Sequence, residues 1–274
     1  MTTTIAVANR KGGVAKTTTA VTIATWLAAH DRRVVLLDLD AQGHAAAYLG
    51  MEPTGSVFRV LVGGGSTLKE LAPWNEHGRL SVLRGDRTTA DAKTLITVKG
   101  LPLHKSLRPL FEPLKQPGVD YIIVDCAPAE DPTSMAILFN ADYVLCPVEL
   151  EYLALDGLRQ LASNIAELRA DHHAKTTLLG IVPQMFETRS NEHNRHLKLL
   201  AETYGPLVYP PIGKATVMRE TVTAAQPIWE YAPRSAVAEQ YRTLIKRLLK
   251  DLKDTRPNTP PVSKRRGESE GGNG

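Results

Sequence analysis

The stretch Thr4-Ile5-Ala6-Val7-Ala8-Asn9-Arg10-Lys11-Gly12-Gly13-Val14-Ala15-Lys16-Thr17-Thr18-Thr19 decides the fold of this chain. An apolar run gives way to a polar turn with two glycines, and a helix is expected to begin near Lys16. Gly12 and Gly13 lack a Cβ, so the turn can curl and aim its N–H groups inward. The helix adds unpaired amides and the positive end of its dipole. Strand, loop and helix in that order make a cradle for nucleotide phosphates, with Lys16 placed for the β and γ oxygens and Thr17 for Mg2+. Ala15 stands where glycine usually precedes the lysine, and its methyl is expected to demand a negative φ. Nucleotide binding is expected to survive that change.

Two later segments end apolar strands in acids. Arg33-Val34-Val35-Leu36-Leu37-Asp38-Leu39-Asp40 and Tyr121-Ile122-Ile123-Val124-Asp125 both read this way, and open α/β sheets place ligands beyond such strand ends. Asp40 can accept a hydrogen bond from water and orient it for in-line attack. The alternative, that Asp38 and Asp40 merely cap a turn, applies more strongly to Asp38. Tyr143 to Val148 forms a further strand with a proline turn, followed by Glu149-Leu150-Glu151, to which no chemistry is assigned. Leu158, Leu161, Ile165 and Leu168 then keep the three-four spacing of a helix that buries a stripe.

The chain has 274 residues, 43% hydrophobic and 23% charged, enough for a sizeable core and ordinary for a globular protein. Alternating strands and helices imply a mostly parallel sheet. No apolar run approaches the roughly 20 residues that cross a bilayer, and the first strand stands where a signal peptide would, so a cytoplasmic location is expected. Cys126 and Cys146 are expected to pack as small apolar groups in a reducing compartment.

Lys11, five positions before Lys16, narrows the reading. Lys-Gly-Gly-x-x-Lys-Thr-Thr resembles the deviant Walker A box of the ParA/Soj-type partition ATPases in the ParA/MinD superfamily. Asp38-Leu39-Asp40-Ala41-Gln42-Gly43 resembles that family's Asp-x-Asp-Pro-Gln-Gly, with Ala41 replacing proline, and Asp125-Cys126-Ala127-Pro128 resembles its Walker B region. The resemblance implies an α/β fold of three layers, a mostly parallel twisted sheet flanked by helices, over residues 1–253, while the polar, proline- and glycine-bearing composition of residues 254–274 reads as a disordered tail. It implies slow, Mg2+-dependent hydrolysis of ATP sandwiched in a homodimer, with Lys11 reaching the partner's nucleotide. ATP contacts would come from Lys11, Gly12, Gly13, Val14, Ala15, Lys16, Thr17, Thr18, Met185 and Pro211. Lys11, Lys16 and Asp40 would be catalytic, and Thr17, Asp40 and Asp125 would serve the metal.

Charge suggests where the output is read. The formal net charge is only +4, but Met185 to Lys250 holds ten Lys/Arg against six Glu and accounts for all of it. Arg189 and Arg219 lie in stretches that resemble DNA-contacting segments of the family, and Arg242, Lys246 and Arg247 follow as candidates. With no base-reading motif, the expected mode is nonspecific phosphate contact. Implied partners are a second copy, nucleoid DNA and a ParB-like protein or cargo adaptor that stimulates hydrolysis, with no membrane. The cargo could be a chromosome, a plasmid or another body, and the early first strand suggests no N-terminal helix-turn-helix extension. Two other readings remain open: a MinD-like membrane-binding ATPase using the apolar face Leu244, Ile245, Leu248, Leu249 and Leu252, and a metabolic ATP-dependent ligase. Residues 52–118 are the least readable, and Arg87 to Gly100 matches nothing in the family.

Overall fold

The apolar runs become seven strands: β1 (Thr3–Val7), β2 (Val34–Asp38), β3 (Ala72–Pro73), β4 (Leu80–Leu83), β5 (Tyr121–Asp125), β6 (Tyr143–Glu149) and β7 (Thr177–Gln184). They join one sheet in the order β3-β4-β2-β5-β1-β6-β7. Every pair is parallel except β3 with β4 at one edge. The computed structural model describes residues 2–256 apart from 76–77, 101, 116, 129–131 and 152–153.

Side chains alternate across a strand, and the central strands are buried on both faces. Ile5, Val7, Val34, Leu36 and Ile123 face one layer, which holds the helices Lys16–Ala29 and Ala236–Asp251. Ala6, Val35, Leu37, Ile122 and Val124 face the other, which holds the helices Pro132–Asn140 and Ala154–His172. The stripe Leu158, Leu161, Ile165 and Leu168 is buried there as its spacing requires. The helix Lys16–Ala29 is buried on nearly every face from Thr19 to Ala28, so it sits in the core and not upon it.

The poorly readable middle folds as short helices, the β3–β4 pair and the helix Thr88–Val98. Gly85, between β4 and that helix, packs on the loop after β2: a Cβ there would lie 2.5 Å from the Asp38 carbonyl oxygen and 3.0 Å from that of Asp40.

At the opposite end of the sheet, the chain beyond the last helix is pinned. Arg32, only 1% exposed, reaches the Asp254 carboxylate and the carbonyl oxygens of His30 and Arg256. The Tyr121 hydroxyl donates to Asp254 at 2.6 Å, and Arg256 pairs with Asp120 at 2.8 Å. The expected boundary after residue 253 therefore falls inside a packed segment. Residues 257–274, the rest of the expected tail, lie outside the described residues.

Candidate functional site

The C-terminal ends of β1, β2 and β5 bring the acids and the glycine loop to one edge of the sheet. Val7 and Asp125 are register partners, as are Asp38 and Asp125. Beyond them opens a cleft of about 1000 Å3 lined by the phosphate loop, Asp40, Met185 and the segment Ile212–Thr216.

The loop turns through left-handed backbone at Gly13 (φ 76°) and at Ala15 (φ 64°). The expectation of a negative φ at Ala15 is thus wrong. Ala15 is the N-cap of the helix Lys16–Ala29 and enters it in that left-handed conformation. An alanine held there stores about 1–2 kcal/mol. No side chain caps this helix, so its first amides are open to an anion. Met185, at the far wall, is also left-handed (φ 54°); strained residues of this kind gather at ligand sites.

Lys16 is nearly buried and its ammonium donates to the Lys11 carbonyl oxygen at 2.8 Å. Burial pulls its pKa down, and the Asp125 carboxylate opposes that. Lys11 stands at the rim. Its ammonium pairs with Glu149 at 2.9 Å and Glu151 at 2.5 Å, and the Glu151 hydrogen bond is the main cause of its raised pKa. Because Lys11 and Glu151 are each about half exposed, each pair contributes no more than about 1 kcal/mol. In the single chain Lys11 thus rests on its own carboxylates, by contacts weak enough to exchange. Asn9 fixes the loop to the end of β6 by donating to the Pro147 carbonyl oxygen at 2.7 Å.

The three acids divide by environment. Asp38, fully buried, accepts from the Ala46 amide at 3.1 Å and the Asp40 amide at 3.3 Å, and burial pushes its pKa up to about 7. It holds the loop, as a turn cap should. Asp40 lines the cleft and accepts from the Gln42 amide at 3.0 Å. Asp125 is fully buried, and among the described residues its carboxylate oxygens complete no hydrogen bond of ordinary geometry, Thr17 and Lys16 being the neighbours that favour its charge. Burial raises its pKa, Asp38 raises it further, and Thr17 and Lys16 draw it down. A buried carboxylate without a partner is costly, and a cation beside it would satisfy the group. Thr17, Asp40 and Asp125 are hard oxygen donors, and Mg2+ is commonly held by one or two carboxylates with substrate phosphates and water. These residues fit that ion.

The other expected contacts separate. Gly12, Gly13, Ala15, Lys16, Thr17, Thr18 and Met185 line the cleft. The Val14 side chain is wholly within the core, which leaves its backbone to serve a ligand. Pro211 is next to the wall, which is built by Ile212, Gly213 and Lys214. Gln184, buried and donating to Thr19 at 3.1 Å, joins the wall unannounced by any motif. So do Ala90 and Lys93 of the helix Thr88–Val98. Glu149 and Glu151 could have been suspected, because two acids separated by one residue at a strand end point the same way.

The five basic candidates do not share an element. Arg189 is exposed ahead of the helix Asn191–Tyr204, and Lys246 is exposed on the last helix. Arg219 is exposed on the helix Val217–Thr223 and also lines the cleft. Arg242 is engaged by Glu239 at 2.8 Å, the Pro233 carbonyl oxygen and the Trp229 ring. Arg247 lies over the Tyr209 ring at 4.4 Å and donates to the carbonyl oxygens of Val208 and Pro206. Cys126 and Cys146 are buried free thiols whose pKa values burial pushes up to about 12.

Known proteins resemble this chain in sequence and fold. A family model described as an AAA domain matches residues 2–178. The chromosome-partitioning ATPase Soj of Thermus thermophilus is 32% identical over 246 residues, covering 89% of this chain and 94% of Soj. The chromosome partitioning protein ParA of Myxococcus xanthus is 32% identical over 263 residues, covering 93% of this chain and 90% of that protein. Among solved structures, cobyrinic acid a,c-diamide synthase from Mycobacterium smegmatis, with a bound ATP analogue and magnesium, superposes with a TM-score of 0.77. It is 29% identical and covers 93% of this chain and 98% of its own. The chain belongs to the ParA/Soj/MinD family of partition ATPases.

Proposed function

We propose that this chain is an ATPase that dimerises around ATP, binds DNA without sequence preference while dimeric, and so segregates or positions a chromosome, a plasmid or another cargo. The observation that carries this reading is Lys11: a cation at the rim of the phosphate loop, whose ammonium is held among the described residues by exposed pairs with Glu149 and Glu151. Turned outward it can reach the triphosphate of a second copy, giving up its pairs with Glu149 and Glu151.

Within one subunit the roles follow from placement. Lys16 and the amides from Gly12 to Thr18 hold the phosphates. Asp40 orients the attacking water. Thr17 and Asp125 hold Mg2+, which would neutralise charge on the transferring phosphoryl group. A dimer doubles the phosphate contacts offered by Arg189, Arg219 and Lys246, and the second set acts at high effective concentration. Hydrolysis dissolves the dimer, and a ParB-like or cargo-bound partner would accelerate it. The expected place of work is the cytoplasm, on the nucleoid.

The membrane reading loses its surface. Leu244, Ile245, Leu248 and Leu249 are buried in the core and Leu252 packs against it, and among the described residues no helix is long and apolar enough to cross a bilayer. The ligase reading keeps one support, the likeness to the Mycobacterium smegmatis structure.

The test is DNA retention with ATP, with ADP and without nucleotide, at two salt concentrations. Retention only with ATP, falling steeply with salt and removed by Arg189→Glu with Arg219→Glu, is the expected result. ATP turnover that ignores DNA and accelerates with a small carboxylic acid would replace partition with ligation.

A further inference from the structure

The helix Thr88–Val98 has no counterpart in the family motifs, yet it forms part of the cleft wall. Ala90 and Lys93 line the cleft together with Ala127 and Pro128, which follow directly on Asp125 and Cys126. That is the acid-bearing end of the site, where Lys16, Thr17, Asp40 and Asp125 gather. Lys93 is half-buried, and among the described residues its ammonium has neither an ion-pair nor a hydrogen-bond partner. Its charge is felt at the Cys126 thiol, where it opposes the upward push of burial and of Asp125. A lysine partly withdrawn from water and left unpaired wants an anion.

The same helix is mechanically joined to the Asp40 loop. Its entry turn begins at Gly85, whose backbone leaves no room for a Cβ against the carbonyl oxygens of Asp38 and Asp40. Gly43, at the far end of that loop, is left-handed (φ 63°), and a Cβ there would meet the Gly85 carbonyl oxygen at 2.8 Å. Thr89 accepts from the Asp86 amide at 3.1 Å and is itself fully buried. Any shift of the helix is therefore passed to the loop that carries Asp40.

We propose that Lys93 binds the terminal phosphate of a nucleoside triphosphate, so that the helix Thr88–Val98 distinguishes triphosphate from diphosphate and seats the Asp40 loop when the triphosphate is present. This rests on the ATPase reading and adds to it a third lysine, donated by an element other than the phosphate loop. Lys93 is a phosphate-contacting residue that transfers no proton; its work is to select the nucleotide that dimerisation requires.

The experiment measures equilibrium binding of a nonhydrolysable ATP analogue and of ADP, both with Mg2+, to the full chain and to Lys93→Gln, Lys93→Arg and Lys16→Ala. Lys93→Gln should weaken the triphosphate analogue about tenfold, the loss of one charge-assisted hydrogen bond, and ADP by less than about twofold. Lys93→Arg should keep most of the discrimination. Equal weakening of both nucleotides, or of neither, overturns the proposal while leaving the ATPase reading intact. If the unaltered chain binds neither nucleotide, the ATPase reading falls and this one with it. A second measurement needs no variant: hydrogen exchange across Gly85 to Val98 should slow with the triphosphate analogue and not with ADP, and equal protection by both would also overturn the assignment.

Discussion

Ala15 and Met185 hold opposite walls of the cleft in left-handed backbone, and neither is a glycine. The strain at Ala15 is removable, because a Cβ is its only cause. Ala15→Gly is expected to stabilise the free protein by about 1 kcal/mol, read as a higher midpoint in thermal denaturation, with nucleotide binding retained. Asp125 presents the complementary case. Among the described residues its buried carboxylate completes no hydrogen bond of ordinary geometry, so Asp125→Asn should raise the stability of the nucleotide-free protein by about 1–3 kcal/mol. The same change should abolish the extra thermal shift that Mg2+ gives to bound nucleotide. A destabilised variant with an intact Mg2+ effect would show that Asp125 serves the fold and not the metal.

At the scale of elements, the last helix is fastened through a network remote from the nucleotide. Burial alone would push the Asp254 carboxyl up, but Arg256, the Tyr121 hydroxyl and Arg32 outweigh it and hold the group well below the usual carboxylate range. Because the folded pKa is depressed, this stability is present above the unfolded value of about 4 and is lost as pH falls below it. Asp254→Asn should cost about 1–3 kcal/mol at neutral pH, and the gap between variant and parent should close as the midpoint is followed below about pH 4. Such a network was not legible beforehand: Arg32 and Asp254 are 222 positions apart and belong to no motif. The core elements were legible, because apolar runs and three-four spacing act locally. The helix Thr88–Val98 has weaker periodicity than the helix Ala154–His172; it buries Ala92 and follows Gly85, which packs on backbone far away in sequence.

For the whole molecule, the proposed association would rest on one exchangeable cation. Light scattering with a nonhydrolysable ATP analogue should find dimers of the parent and monomers of Lys11→Ala. Glu151→Gln should favour the dimer, by no more than about fivefold, since it weakens a half-exposed pair that competes with the partner. A dimer of undiminished strength in Lys11→Ala would sink the sandwiched-nucleotide reading.

By itself the sequence determined the parallel α/β sheet, the phosphate loop and the order in which the acids arrive, because strand period, glycine spacing and strand-end carboxylates are written in consecutive residues. Only the tertiary structure decided which of those groups work on the cleft. It buried Asp38 beneath the Asp40 loop, buried Asp125 beside Thr17 and Lys16, turned Ala15 left-handed, seated Lys11 on Glu149 and Glu151, and brought Lys93 to the acid end. Burial and the pairing of distant charges are properties of the packed chain, and no local pattern encodes them.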